Sequence, residues 1–379
     1  MEFDALAADV DLSLLIKDDD FGHLSGEALS IVGDNAAGST ETITIDMANT
    51  LFSNSITTVD LSGWTFSNWG GQGETISIIG HLDEANTLTG SSQNDIITGG
   101  DFNDILDGGA GDDVLNGGDG NDTFIASEGA DTIDGGSNSL LFGDLIDYSA
   151  STAGINIVID GVTAGIGGLA EGDILSDIER VTGTDFNDVI HAEIGGVFND
   201  IFGGAGNDTL FLGDRNGSLF GEDGNDILVI DADLENQSFR TLSGGSGTDT
   251  VRLQASVTEI FDVSSNLVSI EVLEFDALAA DVDLSLLITD DDFGHLSGEA
   301  LSVRGDNASG STETIIIDMT DTFFPNSFTT VDLSGWTFTN WGGQGETISI
   351  IGHLDVANTL TGSSQNDIIT GGDLSLIHI

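Results

Sequence analysis

Large apolar residues recur every nine positions in one part of this chain: Ile97, Leu106, Leu115, Phe124 and Ile133. Polar and small residues separate them, and no long 3.6-residue period competes, so the pattern predicts short strands rather than helices. Beyond this stretch, ETITIDM (41–47), SITTVDL (55–61) and ETISIIG (74–80) are β-branched runs bounded by Gly, Ser, Asn and Asp. Such runs also predict strands. The chain therefore reads as all-β from end to end.

The polar positions keep the same register. Residues 90–134 divide into GSSQNDIIT, GGDFNDILD, GGAGDDVLN, GGDGNDTFI and ASEGADTID, with Asp95, Asp104, Asp113, Asp122 and Asp131 each at the sixth place. Each aspartate stands two places before the apolar residue. Glycines permit positive φ and close backbone approach, while aspartate supplies a hard oxygen ligand. A flexible Gly/Asp-rich linker is the rival reading, but it would not hold the apolar residue in register. The pattern G-G-x-G-x-D-x-U-x is the signature of a calcium-binding parallel β-roll, and the chain resembles the RTX, or haemolysin-type, calcium-binding repeat proteins.

The resemblance implies a parallel β-solenoid in which two nonapeptides complete one rung and rungs stack about 4.8 Å apart. Turns two repeats apart then share an edge, pairing Asp95 with Asp113, Asp104 with Asp122, and Asp113 with Asp131. Each pair, with carbonyl oxygens of the glycine turns, would enclose a cation that takes six to eight oxygens, as calcium does. Further members follow: GTDFNDVIH (Asp188), GGVFNDIFG (Asp200), GGAGNDTLF (Asp208), GEDGNDILV (Asp226) and GGSGTDTVR (Asp249). The step from Asp208 to Asp226 predicts a shared edge. The intervening LGDRNGSLF has Gly217 where the aspartate belongs, and the steps through Asp188, Asp200 and Asp208 break the period. The implied Ca2+ ligands are these aspartates with Asp367, and the turn glycines Gly99, Gly108, Gly109, Gly111, Gly117, Gly118, Gly120, Gly203, Gly204, Gly206, Gly221 and Gly224.

Residues 2–101 recur as 274–373 with about nine positions in ten identical. Such a long near-identity points to duplication of a large unit and to a tandem array. The expected organisation is a β-rich unit (1–89), a first array (90–136), a β spacer (137–181) and a second array (182–252). A second β-rich unit (253–361) and the start of another array (362–373) follow. Irregular solenoid coils are expected for the β-rich units, with a separate β-sandwich as the alternative. The spacer is expected to be a longer β excursion that returns to the roll. Residues 374–379, LSLIHI, resemble a translated sequencing adapter and are expected to be non-native; Met1 is expected to be a mid-gene codon of a longer protein.

Charge narrows the partners. With 66 acidic against 6 basic residues, the formal charge is −60, which repels nucleic acid and anionic lipid. Acidity alone would suit a disordered chain, but 39% of residues are hydrophobic and recur in register, so a core is expected. The chain has no cysteine, leaving metal binding as the main staple for an extracellular protein. No membrane-spanning run is present. The resemblance implies secretion by type I machinery through a C-terminal signal.

No catalytic motif stands out. Neither H-E-x-x-H nor G-x-S-x-G occurs; Ser246 follows Gly244 by two but precedes Thr248 by two. No enzyme activity is expected within the chain. His23, His81, His295 and His353 read as surface or turn residues, and Asp18–Asp20 and Asp290–Asp292 as solvated turns rather than cation sites. Trp64 and Trp69, repeated as Trp336 and Trp341, leave two readings: core filling, or exposed indoles that stack on a surface glycan. Two functions remain, a calcium-stabilised structural or adhesive region of a large secreted or surface protein, or the calcium-folding secretion module of an exported enzyme or cytolysin.

Overall fold

The computed structural model describes residues 12–17, 29–33, 41–48, 57–67, 69, 74–138, 143–191, 200–212, 217–230, 241–254, 261–262, 267–276, 284–289, 300–305, 312–318, 330–341, 346–352, 357–371 and 376–378. Among them no α-helix occurs, and strands pair in parallel along the chain. Parallel pairing fits the inward apolar positions, because each coil returns the chain to the same edge before the next strand begins. Two compact units divide the chain, 1–185 and 186–379.

In the first unit a seven-stranded sheet runs Leu12–Lys17, Glu41–Asp46, Thr75–Ile79, Asp95–Gly100, Val114–Gly120, Thr132–Asn138 and Ile174–Ser176. A second row runs Thr58–Asp60, Thr87–Thr89, Ile105–Asp107, Thr123–Ile125, Leu145–Asp147 and Arg180–Thr182. The register is the one that the nine-residue pattern demands. Leu115 lies beside Ile97 and Ile133 on one sheet, and Phe124 beside Leu106 and Ile146 on the other. All six are at most 1% exposed, so the core is a pair of apolar columns inside the coil. Neighbouring positions alternate outward, as the pleat requires: Ile96, Ile105 and Val114 are exposed.

The β-rich unit is continuous with the roll rather than a sandwich. Ile43, Ile76 and Ile78 are buried, and Thr75–Ile79 pairs directly with the array strand Asp95–Gly100. The strand Asn156–Val158 and a 3-10 turn at Gly168–Ala170 fall between the strands Leu145–Asp147 and Ile174–Ser176, and Ile174 pairs with Thr132.

In the second unit one row runs Val189–His191, Thr209–Leu212, Ile227–Ile230, Thr250–Leu253, Val272–Phe275, Ser302–Arg304 and Thr337–Thr339. Another runs Asp200–Ala205, Ser218–Asp223, Thr241–Ser246 and Leu267–Val268. The duplicated segment repeats its pairing as well as its sequence: Thr314 lies beside Thr347, as Thr42 lies beside Thr75. Within the C-terminal segment expected to be non-native, Leu376–His378 forms a strand beside Thr359–Thr361.

Candidate metal centres

Aspartates at the sixth place form ladders along the edges of the coil. The Asp95 N–H donates to Oδ1 of Asp113 (2.7 Å), the Asp113 N–H to Oδ1 of Asp131 (2.9 Å), and the Asp104 N–H to Oδ1 of Asp122 (2.7 Å). These are the three same-edge pairs expected from the spacing. All five aspartates are 1% exposed, and one oxygen of Asp104, Asp113, Asp122 and Asp131 is committed to the backbone of the neighbouring rung.

The other oxygen decides the chemistry. Oδ2 of Asp104, Asp113 and Asp122, and Oδ1 of Asp95, are buried without a hydrogen-bond partner. A buried charged oxygen without a partner is costly. The glycines show where these atoms point. A Cβ added at Gly99 would strike Oδ2 of Asp104 and the Gly117 carbonyl oxygen; one at Gly117 would strike Oδ2 of Asp122 and the Gly135 carbonyl. One at Gly108 would strike Oδ2 of Asp113. First-place glycines thus leave a cradle shared by a carboxylate oxygen and a carbonyl oxygen of the next rung. The second and fourth places need glycine for another reason: Gly109, Gly118 and Gly204 have φ of 94°, 106° and 99°, and Gly111, Gly206 and Gly224 have φ of 129°, 123° and 150°. Gly120, also at the fourth place, keeps its Cα free because a side chain would meet the Phe102 carbonyl.

Burial raises the carboxyls. It pushes Asp113 up to about 8, with repulsion from Asp95, Asp131 and Asp107 adding to it. It pushes Asp95 to about 7 and Asp122 to about 6; Asp104 and Asp131 rise for the same first cause. A divalent cation reverses this preference, because metal ligation requires the deprotonated form. Among the described residues no three acidic or imidazole side chains converge on one point, so turn carbonyls must complete any coordination shell. The donor set is all oxygen, as hard cations such as calcium prefer.

In the second unit the ladder runs on one edge. The Asp188 N–H donates to Oδ1 of Asp208, Asp208 to Asp226, and Asp226 to Asp249, each at 2.8 Å. Oδ2 of Asp208, Asp226 and Asp249 is buried and unpartnered; Gly203 and Gly221 provide the matching cradles. Burial pushes Asp208 to about 7 and Asp226 to about 6. The broken period between Asp188 and Asp208 leaves the stacking intact.

Asp200 requires a correction. It lies on a strand beside Ser218, and the buried residue follows it by one place, Ile201, not by two. Asp200 therefore does not sit where the ladder aspartates do. Gly217 does occupy the sixth place: Ser218 follows it and then the buried Leu219. Asp367 resembles Asp95: its Oδ2 accepts from the Ser363 N–H (2.8 Å), as Asp95 Oδ2 accepts from Ser91 (2.6 Å).

Three ladder members escape the nonapeptide pattern. The Asp122 N–H donates to Oδ1 of Asp144 (2.6 Å), the Asp131 N–H to Oδ1 of Asp173 (2.9 Å), and the Asn86 N–H to Oδ1 of Asp104 (2.6 Å). Insertions hide the first two, since 22 and 42 residues separate the partners. The remaining signal is a buried apolar residue two places on: Ile146, Leu175 and Leu88.

Trp64 and Trp336 are 3% exposed and belong to the core. Trp69 and Trp341 are half-buried, 5.5 Å from Phe66 and 5.7 Å from Phe338 between ring centroids. His81 is a buried turn residue whose Nδ1 accepts from the Asp83 N–H (3.1 Å). His23, His295, His353, Asp18–Asp20 and Asp290–Asp292 lie outside the described residues.

Sequence comparison agrees with this geometry. Four stretches, residues 89–124, 107–139, 202–232 and 355–373, match the RTX calcium-binding nonapeptide repeat. The chain carries RTX repeats. No curated protein gives a match. The matched stretches of the RTX arrays cover Asp95 to Asp131, and Asp208 to Asp226, but stop short of Asp144, Asp173, Asp188 and Asp249, which extend the ladders beyond the repeats themselves.

Proposed function

We propose that this chain is a calcium-stabilised, non-catalytic region of a large exported protein, in which bound Ca2+ completes the RTX ladders and holds the coil together. The observation that carries the reading is the row of buried, unpartnered carboxylate oxygens, those of Asp104, Asp122, Asp208, Asp226 and Asp249 facing a carbonyl across a glycine. Apolar columns one residue wide bury little surface per coil, and like charges oppose each other along each edge; cation binding then supplies folding free energy. The proposed ligands are the sixth-place aspartates Asp95, Asp104, Asp113, Asp122, Asp208, Asp226 and Asp249 with the carbonyls of the glycine turns.

The same reading extends to export by a type I route and to service at a cell surface as a structural or adhesive element. Support comes from three sides: RTX proteins are typically exported, the chain uses no cysteine, and the long duplicated unit suits a tandem array. Among the described residues no helix is long and apolar enough to cross a membrane. A calcium titration of the chelated protein tests the core of the proposal. The β signal should rise at roughly 10⁻⁴–10⁻³ M calcium, the range of extracellular modules; a full β spectrum in chelator would overturn it.

A further inference from the structure

Among the described residues two of the three aspartate ladders end in the same way, on a glutamate that belongs to no nonapeptide. In the first unit the ladder through Asp104 and Asp122 ends at Asp144. Its N–H donates to Oε2 of Glu179 (2.9 Å), so a glutamate stands where the next rung's aspartate would be. In the second unit the ladder ends at Asp249, whose N–H donates to Oε2 of Glu271 (2.8 Å).

The neighbourhoods match further. Two residues before each glutamate is a non-glycine residue in the left-handed region, Asp177 at φ 51° and Ser269 at φ 53°. Between them is a buried isoleucine, Ile178 or Ile270. After each glutamate the backbone N–H of Arg180 or Val272 donates to the carbonyl of the ladder aspartate, at 2.8 and 2.9 Å. The left-handed turn aims a carbonyl at the last cradle. A Cβ added at Gly135 would strike the Asp177 carbonyl and Oδ2 of Asp144; one at Gly244 would strike the Ser269 carbonyl and Oδ2 of Asp249. Asp144 and Asp249 are each 0% exposed, and Oδ2 of each is buried without a partner.

The remaining ladder supplies a contrast. It ends through Asp131 at Asp173 without a glutamate. There Oδ2 of Asp131 accepts from the Ser127 hydroxyl (3.3 Å), and Oδ2 of Asp173 from the Tyr148 hydroxyl (2.9 Å). Protein hydroxyls take up the oxygens that stay free at Asp144 and Asp249.

We infer that Gly135/Asp144/Asp177 and Gly244/Asp249/Ser269 are terminal divalent-cation sites, each closed by the segment Asp177-Ile178-Glu179 or Ser269-Ile270-Glu271, and that the hydroxyl-closed end at Asp173 takes no ion. The aspartate Oδ2 and the left-handed residue's carbonyl are ligands. Glu179 and Glu271 are positioning residues: each fixes its aspartate through the backbone N–H and adds negative charge beside the ion. The inference rests on the calcium reading of the ladders, and it assigns ions to turns that lie outside the matched repeats.

The test is a count of bound calcium on the full chain by equilibrium dialysis, with β content checked at saturating calcium. Asp144→Asn and Asp249→Asn should each lose one ion, and the double variant two, whereas Asp173→Asn should lose none. Undiminished counts for Asp144→Asn and Asp249→Asn would overturn the terminal sites. Loss of an ion in Asp173→Asn would overturn the contrast. Should Asp144→Asn fail to fold, Glu179→Gln decides: its amide oxygen still accepts from the Asp144 N–H, so one ion should bind about tenfold more weakly, and an unchanged isotherm would overturn the site. Asp113→Asn separates the two levels. If it loses calcium while Asp144→Asn and Asp249→Asn do not, the RTX reading stands and only the terminal sites fall; a wild-type chain that binds no calcium removes both.

Discussion

The RTX array of the first unit carries aspartate ladders on both edges, while among the described residues that of the second unit carries one on a single edge. On the bare edge the strands begin at Asp200, Ser218 and Thr241 in register, and Gly217 stands where a ladder aspartate would be. The coil nevertheless continues. Ile201, Leu219 and Leu242 are at most 1% exposed, and Phe202 and Phe220 stack 4.8 Å apart on the outer face. On this edge the apolar column and the glycine turns continue the path of the coil without a carboxylate at residue 217. The carboxylate ladder is a separate layer, placed edge by edge, that determines how strongly the path depends on a cation.

The largest effect that should follow is an unequal response to chelation. With calcium removed, amides of the first array (Asp95, Asp104, Asp113, Asp122) should lose hydrogen-exchange protection on both edges. In the second array Ile201 and Leu219 should keep more protection than Asp208 and Asp226. Equal loss at all these amides would break the comparison.

The pH response in chelator should run against habit. The ladder carboxyls are raised above their usual value, Asp113 to about 8, and Asp95, Asp144 and Asp208 to about 7. A group raised in the folded state stabilises it below the unfolded pKa and loses that contribution as pH climbs through the folded one. Without calcium the coil should thus be more stable near pH 4 than at pH 8, and the first array, with two ladders, should show the steeper decline. With calcium bound the trend should reverse, because protons compete for the ligands. Thermal melts at both pH values, with and without calcium, check the sign.

Asp113 and Asp131 offer a smaller and sharper comparison on one edge. Asp113→Ala removes the bond to the Asp95 N–H and also a buried free oxygen; Asp131→Ala removes the bond to the Asp113 N–H, but its other oxygen is already held by Ser127. Each lost bond should cost about 1–3 kcal/mol, and only Asp113→Ala should also lower the calcium count. Equal counts for the two variants would mean that the free oxygen is not a ligand. The smallest effect is expected from Gly217→Asp, which adds one carboxylate to the bare edge. It should tighten calcium binding by less than tenfold, or about 1.4 kcal/mol; an unchanged isotherm would place residue 217 outside the sixth-place register.

Most of the regular array was legible before any coordinates, because its register repeats without interruption from Asp95 to Asp131. Asp200 was misplaced by one position because the chain offers two candidate apolar residues, Ile201 and Phe202, and only burial separates them. A one-place slip turns every side chain to the other face. Asp144 and Asp173 were missed because each follows an insertion, so counting nine fails although the pattern of aspartate, any residue, then a buried apolar residue survives. For the β-rich unit 1–89 the spacing leaves solenoid and sandwich open, and the pairing of Thr75–Ile79 with Asp95–Gly100 favours the solenoid.

What the sequence by itself determined is local: which residues turn inward, which turns need glycine, and where a carboxylate is offered once per turn. These follow from strand alternation and backbone sterics, which act within a few residues. Partnership between rungs was decided by the tertiary structure. Asp122 meets Asp144 across 22 residues, Asp131 meets Asp173 across 42, and Glu179 closes a ladder begun at Asn86. The physical reason is that a coil requires only that the chain come back to its own edge. Loop-closure cost grows slowly with length, so insertions of very different size leave the rung above in the same place, and sequence spacing ceases to report who stacks on whom.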